Sequence, residues 1–192
     1  MTKSIKGTQT EKNLLASFAG ESQARNRYTL FAEVAKKEGY EQMAGIFLET
    51  AENEFHHAKR FFSFLEGGEV QITASYPAGV VGTTIENLKE AAAGEREEWY
   101  DLYPKFAEVA AHEGFPKVAA AYKAIITVEM IHEARYLKLL ENIEKGIVFK
   151  RPESEHWKCR ACGYVHEGTE APKVCPSCLE TQSEFELQCK NY

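Results

Sequence analysis

Glu54-Phe55-His56-His57 and Glu129-Met130-Ile131-His132 are two Glu-x-x-His stretches standing 75 residues apart, and their reading decides the fold. On an α-helix, positions i and i+3 share a face, so the Glu and His of each pair project in one direction. A lone glutamate precedes each pair: Glu21 the first, Glu95 the second. Around them the chain repeats itself. Phe31-Ala-Glu-Val-Ala recurs as Phe106-Ala-Glu-Val-Ala, Glu38-Gly39 recurs as Glu113-Gly114, and 13 of the 36 positions from 31 to 66 are identical at an offset of 75. Farther upstream, Ala19-Gly20-Glu21 matches Ala93-Gly94-Glu95 at an offset of 74, so the second half carries one additional residue. The insertion falls near Pro104, whose ring disturbs a helix, and predicts a kink or a π-type bulge.

Thr8 with Glu11, and Thr83 with Glu86, have capping-box spacing and mark the starts of the first and third helices. The first helix is expected to end near Gly39 and the second at Gly67-Gly68. The third should end near Gly114, with Pro116 opening the fourth, and the fourth near Gly146. Short breaks of this kind pair helix one with two, and three with four, antiparallel. The connection GGEVQITASYPAGVVG, residues 67–82, is different. Sixteen extended residues reach about 50 Å, whereas a helix of about 27 residues spans roughly 40 Å. An up-down pair, a long crossover and a second up-down pair predict an all-α, ferritin-like four-helix bundle over residues 1–150. After Arg151-Pro152-Glu153 the helical period stops, and residues 151–192 are expected to form a small metal-dependent β domain.

Counted from the glycine breaks, Glu21 lies 18 residues before Gly39 and Glu54 15 after it. Glu95 and Glu98 lie 19 and 16 before Gly114, and Glu129 15 after it. A mismatch of three residues is about 4.5 Å along the axes, so all five glutamates share one layer near mid-bundle. They also share apolar faces, Glu54 with Phe47, Ala51, Ala58 and Phe61, and Glu129 with Tyr122, Ile126 and Tyr136. Any one of them, among 29 acids, reads as a solvated helix residue. Gathered in an apolar layer they would repel each other and lose hydration, at several kcal/mol per ion. Two divalent metals remove that conflict. Glu21, Glu54, His57, Glu95, Glu129 and His132, projecting inward from four helices, make the ligand set of carboxylate-bridged di-iron bundles. Glu98 breaks the symmetry, its counterpart being Ala24, and reads either as a surface charge beside Arg96 and Glu97 or as an extra, exchangeable ligand. His56, His112, His156 and His166 lack the repeat relation and read as surface or supporting residues.

Composition excludes several functions. A net charge of -6 leaves no basic stripe for nucleic acid, and no run of 18 apolar residues provides a membrane span. The first residues, MTKSIKGTQTEKN, lack an apolar signal core, so the cytoplasm is the expected compartment. Neither a GxGxxG nor a P-loop string occurs, so neither NAD nor ATP binding is expected. Four of the five cysteines lie in Cys159-x-x-Cys162 and Cys175-x-x-Cys178, which suits a metal in a reducing compartment better than disulfides.

The stretch WKCRACGYVHEG, followed by Cys175-Pro-Ser-Cys178, resembles rubredoxin, in which two CxxC turns hold one iron through four thiolates. Spacing alone admits zinc or iron. The Cys-Gly-Tyr and Cys-Pro-x-Cys details, with Trp157, Tyr164 and Phe185 as an aromatic core, favour the iron centre. Leu179 departs from the pattern, since rubredoxins usually carry Gly there. Cys189 stands outside it and reads as a free thiol.

Over its whole length the chain resembles the rubrerythrin family, on FAGESQARNRY, the ExxH pairs, AAAGE-x-x-E and the C-terminal CxxC pairs. The resemblance implies a non-haem peroxidase that reduces hydrogen peroxide to water in oxidative-stress defence, using two bridged irons and one iron on four cysteines. It implies that Glu54 and Glu129 bridge the irons, that Glu21 is terminal on one, and that Glu95 with His132 completes the other. Glu98 and His57 would exchange on the first iron with redox state, and Tyr28 and Tyr103 would hydrogen-bond to ligating carboxylates. Electrons would come from rubredoxin or from a separate NAD(P)H-dependent reductase. The link from Ile147 to Glu153 is too short to return the cysteines to the carboxylate layer, roughly 20–25 Å away along the axis. The implied arrangement is therefore a head-to-tail dimer or larger homo-oligomer. The competing readings are a ferroxidase for iron storage, and a zinc-stabilised scaffold or simple electron carrier.

Overall fold

The expected helical stretches become four rods in the computed structural model, which describes residues 3–191. Helix α1 (Gln9–Lys37) begins at Thr8, whose side chain accepts from the Glu11 N–H. Glu11 takes the Gly7 N–H rather than that of Thr8, so only half of the reciprocal box forms. At Thr83, ahead of α3 (Thr84–Glu97), both halves form. Gly39 and Gly114 end the first and third rods at φ +82 and +81, a conformation glycine takes without strain. The next N–H then reaches back five residues, Tyr40 to the Ala35 carbonyl and Phe115 to that of Ala110, each at 2.8 Å. These reversals set α2 (Glu41–Phe62) against α1, and α5 (Pro116–Glu144) against α4 (Tyr103–His112).

The repeated Glu-Gly element also joins the halves. Glu38 accepts the Thr84 N–H at 3.1 Å, and Glu113 accepts the N–H groups of Gln9 at 3.2 Å and Thr10 at 2.8 Å. Each half thus satisfies orphan donors, and the positive dipole end, at the leading helix of the other.

The additional residue of the second half lies in a π-helical segment, Glu98–Leu102. There the Tyr103 N–H bonds to the Glu98 carbonyl, five residues back. The wider turn absorbs one residue, so Tyr103 returns to the interior and α3 continues into α4. One expectation needs correction: α2 stops at Phe62, short of Gly67-Gly68. Phe64 and Leu65 fold back beside Phe61, and Glu66 accepts the Ile5 N–H at 3.1 Å, which draws the chain toward the N-terminal segment.

Two apolar clusters lie on either side of the carboxylate layer. One holds Tyr28, Phe47 and Tyr136; the other holds Tyr103, Tyr122 and Phe61. These are the same three repeat positions with the halves exchanged, so the interior has an approximate twofold relation. The connection 67–82 has no regular element and lies along α1, where the Tyr76 hydroxyl donates to the Ala16 carbonyl at 2.5 Å. The bundle is ferritin-like, with the long crossover between its second and third rods.

The C-terminal region forms a three-stranded antiparallel sheet in the order β2 (Val165–Glu170), β1 (Lys150–Cys159), β3 (Phe185–Leu187). Trp157 and Phe185 fill its core, with Tyr164 half-buried against them. It packs on the α1–α2 reversal: the Phe149 and Tyr40 rings stack 6.4 Å apart, and the Arg160 guanidinium lies where a side chain at Gly45 would stand. Among the described residues, no helix is long and apolar enough to cross a membrane.

Candidate metal centres

Two groups of ligand atoms meet inside the bundle, each within 4.8 Å: Glu21, Glu54, His57 and Glu129, and Glu54, Glu95, Glu129 and His132. Glu54 and Glu129 belong to both, as residues bridging two metals must. The four carboxylates are at most 1% exposed and lie on α1, α2, α3 and α5. His57 Nδ1 lies 2.9 Å from both Glu54 Oε2 and Glu129 Oε1, and 3.9 Å from Glu21 Oε1. His132 Nδ1 lies 2.9 Å from Glu129 Oε2, 3.2 Å from Glu54 Oε1 and 3.4 Å from Glu95 Oε2.

His57 Nδ1 and Glu54 Oε2 pair with each other, but close approach does not satisfy most of the other atoms. Among the described residues, His132 Nδ1, Glu21 Oε2, Glu54 Oε1, Glu95 Oε2 and both Glu129 oxygens are buried without a hydrogen-bond partner. A protein interior tolerates one such atom at a cost of about 1–3 kcal/mol. Six aimed at common points fit a pair of cations. Four carboxylates carry the charge of two divalent ions, so the site is neutral when both are bound.

Electrostatics agree with this reading. Burial, then neighbouring carboxylates, push Glu21, Glu95 and Glu98 well above the usual carboxyl range. Burial opposes charge on both histidines, but the facing carboxylates outweigh it and lift His57 to about 10 and His132 to about 12. Burial also works against the Glu54 carboxylate, yet His132 and His57 hold it down to about 2. Protons occupy the cluster where metal charge fits, and metal entry displaces them.

Tyr28 and Tyr103 are both buried, and each donates to a carboxylate of the cluster: Tyr28 to Glu95 at 2.5 Å and Tyr103 to Glu21 at 2.6 Å. Glu98 belongs to neither ligand group. It is half-buried and lines a cavity with Tyr28 and Tyr103, while His57 groups with Glu21, Glu54 and Glu129. His56, His112, His156 and His166 also join neither group.

Four supporting residues escape sequence reading. His132 Nε2 donates to Asn53 Oδ1 at 3.2 Å, in the tautomer that turns Nδ1 to the carboxylates. Glu133, 9% exposed, accepts from Trp99 Nε1 at 2.6 Å and from Arg96 at 3.4 Å, bracing the π segment against α5. Asn53 and Glu133 each adjoin a residue of an ExxH pair, which is the one signal the sequence carries for them.

In the C-terminal sheet, Cys159, Cys162, Cys175 and Cys178 converge. Cys159 Sγ lies 3.7 Å from Cys178 Sγ, and Cys162 Sγ 3.7 Å from Cys175 Sγ. A tetrahedral site with metal–sulfur bonds of about 2.3 Å has edges of about 3.8 Å, so the thiols fit one metal. Leu179 takes φ +66 in the turn after Cys178 and donates its N–H to the Cys175 carbonyl at 2.9 Å. It adopts the left-handed backbone that glycine would take without strain. Cys189 is free and exposed.

Comparison with known proteins places these sites in a family. A model described as Rubrerythrin matches residues 12–140, and one described as Rubrerythrin, rubredoxin-like domain, matches residues 157–186. The chain is 62% identical over 192 residues to a rubrerythrin of Porphyromonas gingivalis, covering all of this chain and 96% of that one. It is 51% identical over 185 residues to a rubrerythrin of Nitratidesulfovibrio vulgaris, covering 96% and 97%. A solved nigerythrin in a mixed-valence state superposes with a TM-score of 0.62 at 30% identity, over 97% of this chain and 92% of that one. The metal complement is accordingly a di-iron site in the bundle and one iron on the four cysteines.

Proposed function

Because this chain belongs to the rubrerythrin family of oxidoreductases, we propose that it is a non-haem di-iron peroxidase, reducing hydrogen peroxide to water in oxidative-stress defence. One observation carries the reading: two matching ligand clusters that share Glu54 and Glu129, with a single asymmetric carboxylate, Glu98, lining the adjoining cavity.

In this reading Glu54 and Glu129 would be shared by the two metals, with Glu21 and His57 available to hold one and Glu95 and His132 the other. When bound, the iron pair supplies the two electrons that cleavage of one O–O bond requires and polarises the peroxide. The residues do the rest. Tyr28 and Tyr103 fix the rotation of Glu95 and Glu21. Glu98 holds a proton at its half-buried carboxyl beside the cavity, would give it up to the leaving oxygen, and as a carboxylate would be free to take the place of His57. An anionic Glu98 in place of a neutral His57 imidazole would suit a more highly charged metal site, and His57 in place of Glu98 a reduced one.

Electrons enter through the four-cysteine centre from rubredoxin or from an NAD(P)H-dependent reductase. The thiols sit beyond the α1–α2 reversal, and Glu54 lies nine residues along α2 from Gly45, about 14 Å. A head-to-tail dimer brings one chain's cysteine iron to the other chain's pair. Exposed Leu48, Phe55 and Phe62, every seventh residue of α2, offer an apolar stripe to a second copy. Four cysteines committed to iron and a free thiol at Cys189, with no disulfide among the described residues, suit the reducing cytoplasm.

The test is a pair of assays on the iron-loaded protein. Peroxide should be consumed in proportion to reductant, and added ferrous iron should stop at the bridged pair and the cysteine site. Growth of a mineral core without peroxide turnover would instead identify an iron-storage ferroxidase.

A further inference from the structure

A cavity of about 490 Å³ lies between α1, the π segment and the crossover, and Glu98, Tyr28 and Tyr103 are among its lining residues. Hydrogen peroxide is little larger than a water molecule, whose share of liquid volume is about 30 Å³. The cavity falls instead in the range of roughly 300–1,000 Å³ that suits organic ligands. Its walls are mixed: small residues Ala16, Gly20 and Ala24 along α1 face Leu102 and Phe106 and make an apolar strip, flanked by polar and charged side chains including Lys12, Gln23 and Arg27. The crossover roofs it: Tyr76 donates to the Ala16 carbonyl, and its ring stands where a side chain on Gly20 would touch it. Gly94 lines the same cavity, and a Cβ there would meet no atom within 4 Å. Open space at a mid-helix glycine has no packing explanation, and glycine destabilises such a position by roughly 0.5–1 kcal/mol.

We propose that this cavity is a substrate pocket for organic hydroperoxides, with the alkyl or aryl group held between the small residues of α1 and Leu102 and the peroxide group at Glu98. The proposal rests on the peroxidase reading and extends its substrate class. The reaction is ROOH with two electrons and two protons giving ROH and water. The O–O bond breaks, the hydroperoxide is reduced, and the electrons come one at a time from the rubredoxin-type donor. The alcohol product keeps the organic group and leaves by the roofed opening.

The test compares cumene hydroperoxide with hydrogen peroxide on the iron-loaded full chain, native and with Gly94→Leu or Ala16→Phe. Each substitution fills the cavity from a different wall and spares every proposed ligand. Native protein should reduce both substrates. The filled variants should lose about tenfold or more in kcat/KM for cumene hydroperoxide, while hydrogen peroxide changes less than about threefold. Saturation-transfer NMR with 2-phenyl-2-propanol supplies a readout independent of turnover, its signal present with native protein and absent with either filled variant. Native protein that turns over hydrogen peroxide but not cumene hydroperoxide overturns the proposal. So does an alcohol signal that is missing from native protein or survives filling, or an equal loss on both substrates. Absence of all peroxide turnover at full iron content defeats the peroxidase reading instead, and the NMR result still decides whether the pocket takes an organic ligand.

Discussion

Tyr28 and Tyr103 occupy the same repeat position, and each donates its hydroxyl to the lone glutamate of the opposite half, Tyr28 to Glu95 and Tyr103 to Glu21. Each tyrosine is fixed by a ring cluster on its own side of the carboxylate layer. Each therefore sets the rotation of a carboxylate that the other half supplies, and both halves must dock before either lone glutamate is oriented.

Tyr28→Phe and Tyr103→Phe keep the packing ring and remove the donor. Each variant should fold normally and bind ferrous iron about tenfold more weakly, within the roughly 10–100-fold range for such supporting partners. A chelator competition on the bundle irons measures this, and native affinity in both variants would refute the orienting role.

Metal-free protein should lose stability as pH rises. Glu21 and Glu95 have raised values when folded, so the native state keeps protons that the unfolded chain releases above its ordinary carboxyl range. His57 at about 10 and His132 at about 12 act in the same sense, their contribution complete below the unfolded imidazole value of about 6.5 and lost through the folded values. Glu54, held at about 2, opposes this only in acid, below the ordinary carboxyl value. Iron requires deprotonated ligands, so the iron-loaded protein should show the opposite trend. Melting temperatures of both forms from pH 5 to 9 should diverge, and parallel curves would be evidence against a proton-filled cluster.

Glu98→Ala leaves both ligand groups intact. It should retain the bridged pair, with peroxide turnover down by about two to three orders of magnitude, as for loss of a positioned proton carrier. Unimpaired turnover would return Glu98 to a charge on the cavity wall.

Leu179→Gly removes a side chain from left-handed backbone. Relief of about 1–2 kcal/mol of strain, less roughly 0.5–1 kcal/mol of glycine entropy, should leave the C-terminal domain more stable. Denaturant-driven loss of the red ferric thiolate colour reports it, and an earlier midpoint in the variant would contradict the strain argument.

Mixing Cys159→Ser protein with Glu54→Ala protein under subunit-exchange conditions should restore roughly a quarter to a half of the activity through heterodimers in a closed twofold pair. Inactive heterodimers with each intact centre still holding its iron would place the electron path within one chain.

Much of this was legible before folding. The ExxH spacing, the repeat offset and the glycine breaks put five glutamates at one depth, because helical rise and period convert sequence distance directly into position. The slip from 74 to 75 located the π segment for the same reason. The end of α2 was not legible: the chain left the helix at Phe62 because Glu66 found the Ile5 N–H, a partner 61 residues away.

The sequence by itself determined the four rods, the crossover, the convergence of the ligand layer and the four-thiol turn, all consequences of local periodicity and covalent reach. Tertiary structure alone decided that Glu38 and Glu113 cap each other's halves, that each tyrosine serves the opposite glutamate, and that His57 rather than Glu98 joins the cluster around Glu21. It also decided that small residues beneath the crossover leave a cavity. Those outcomes depend on which side-chain rotamers remain once helices from distant parts of the chain have docked, and sequence spacing does not encode them.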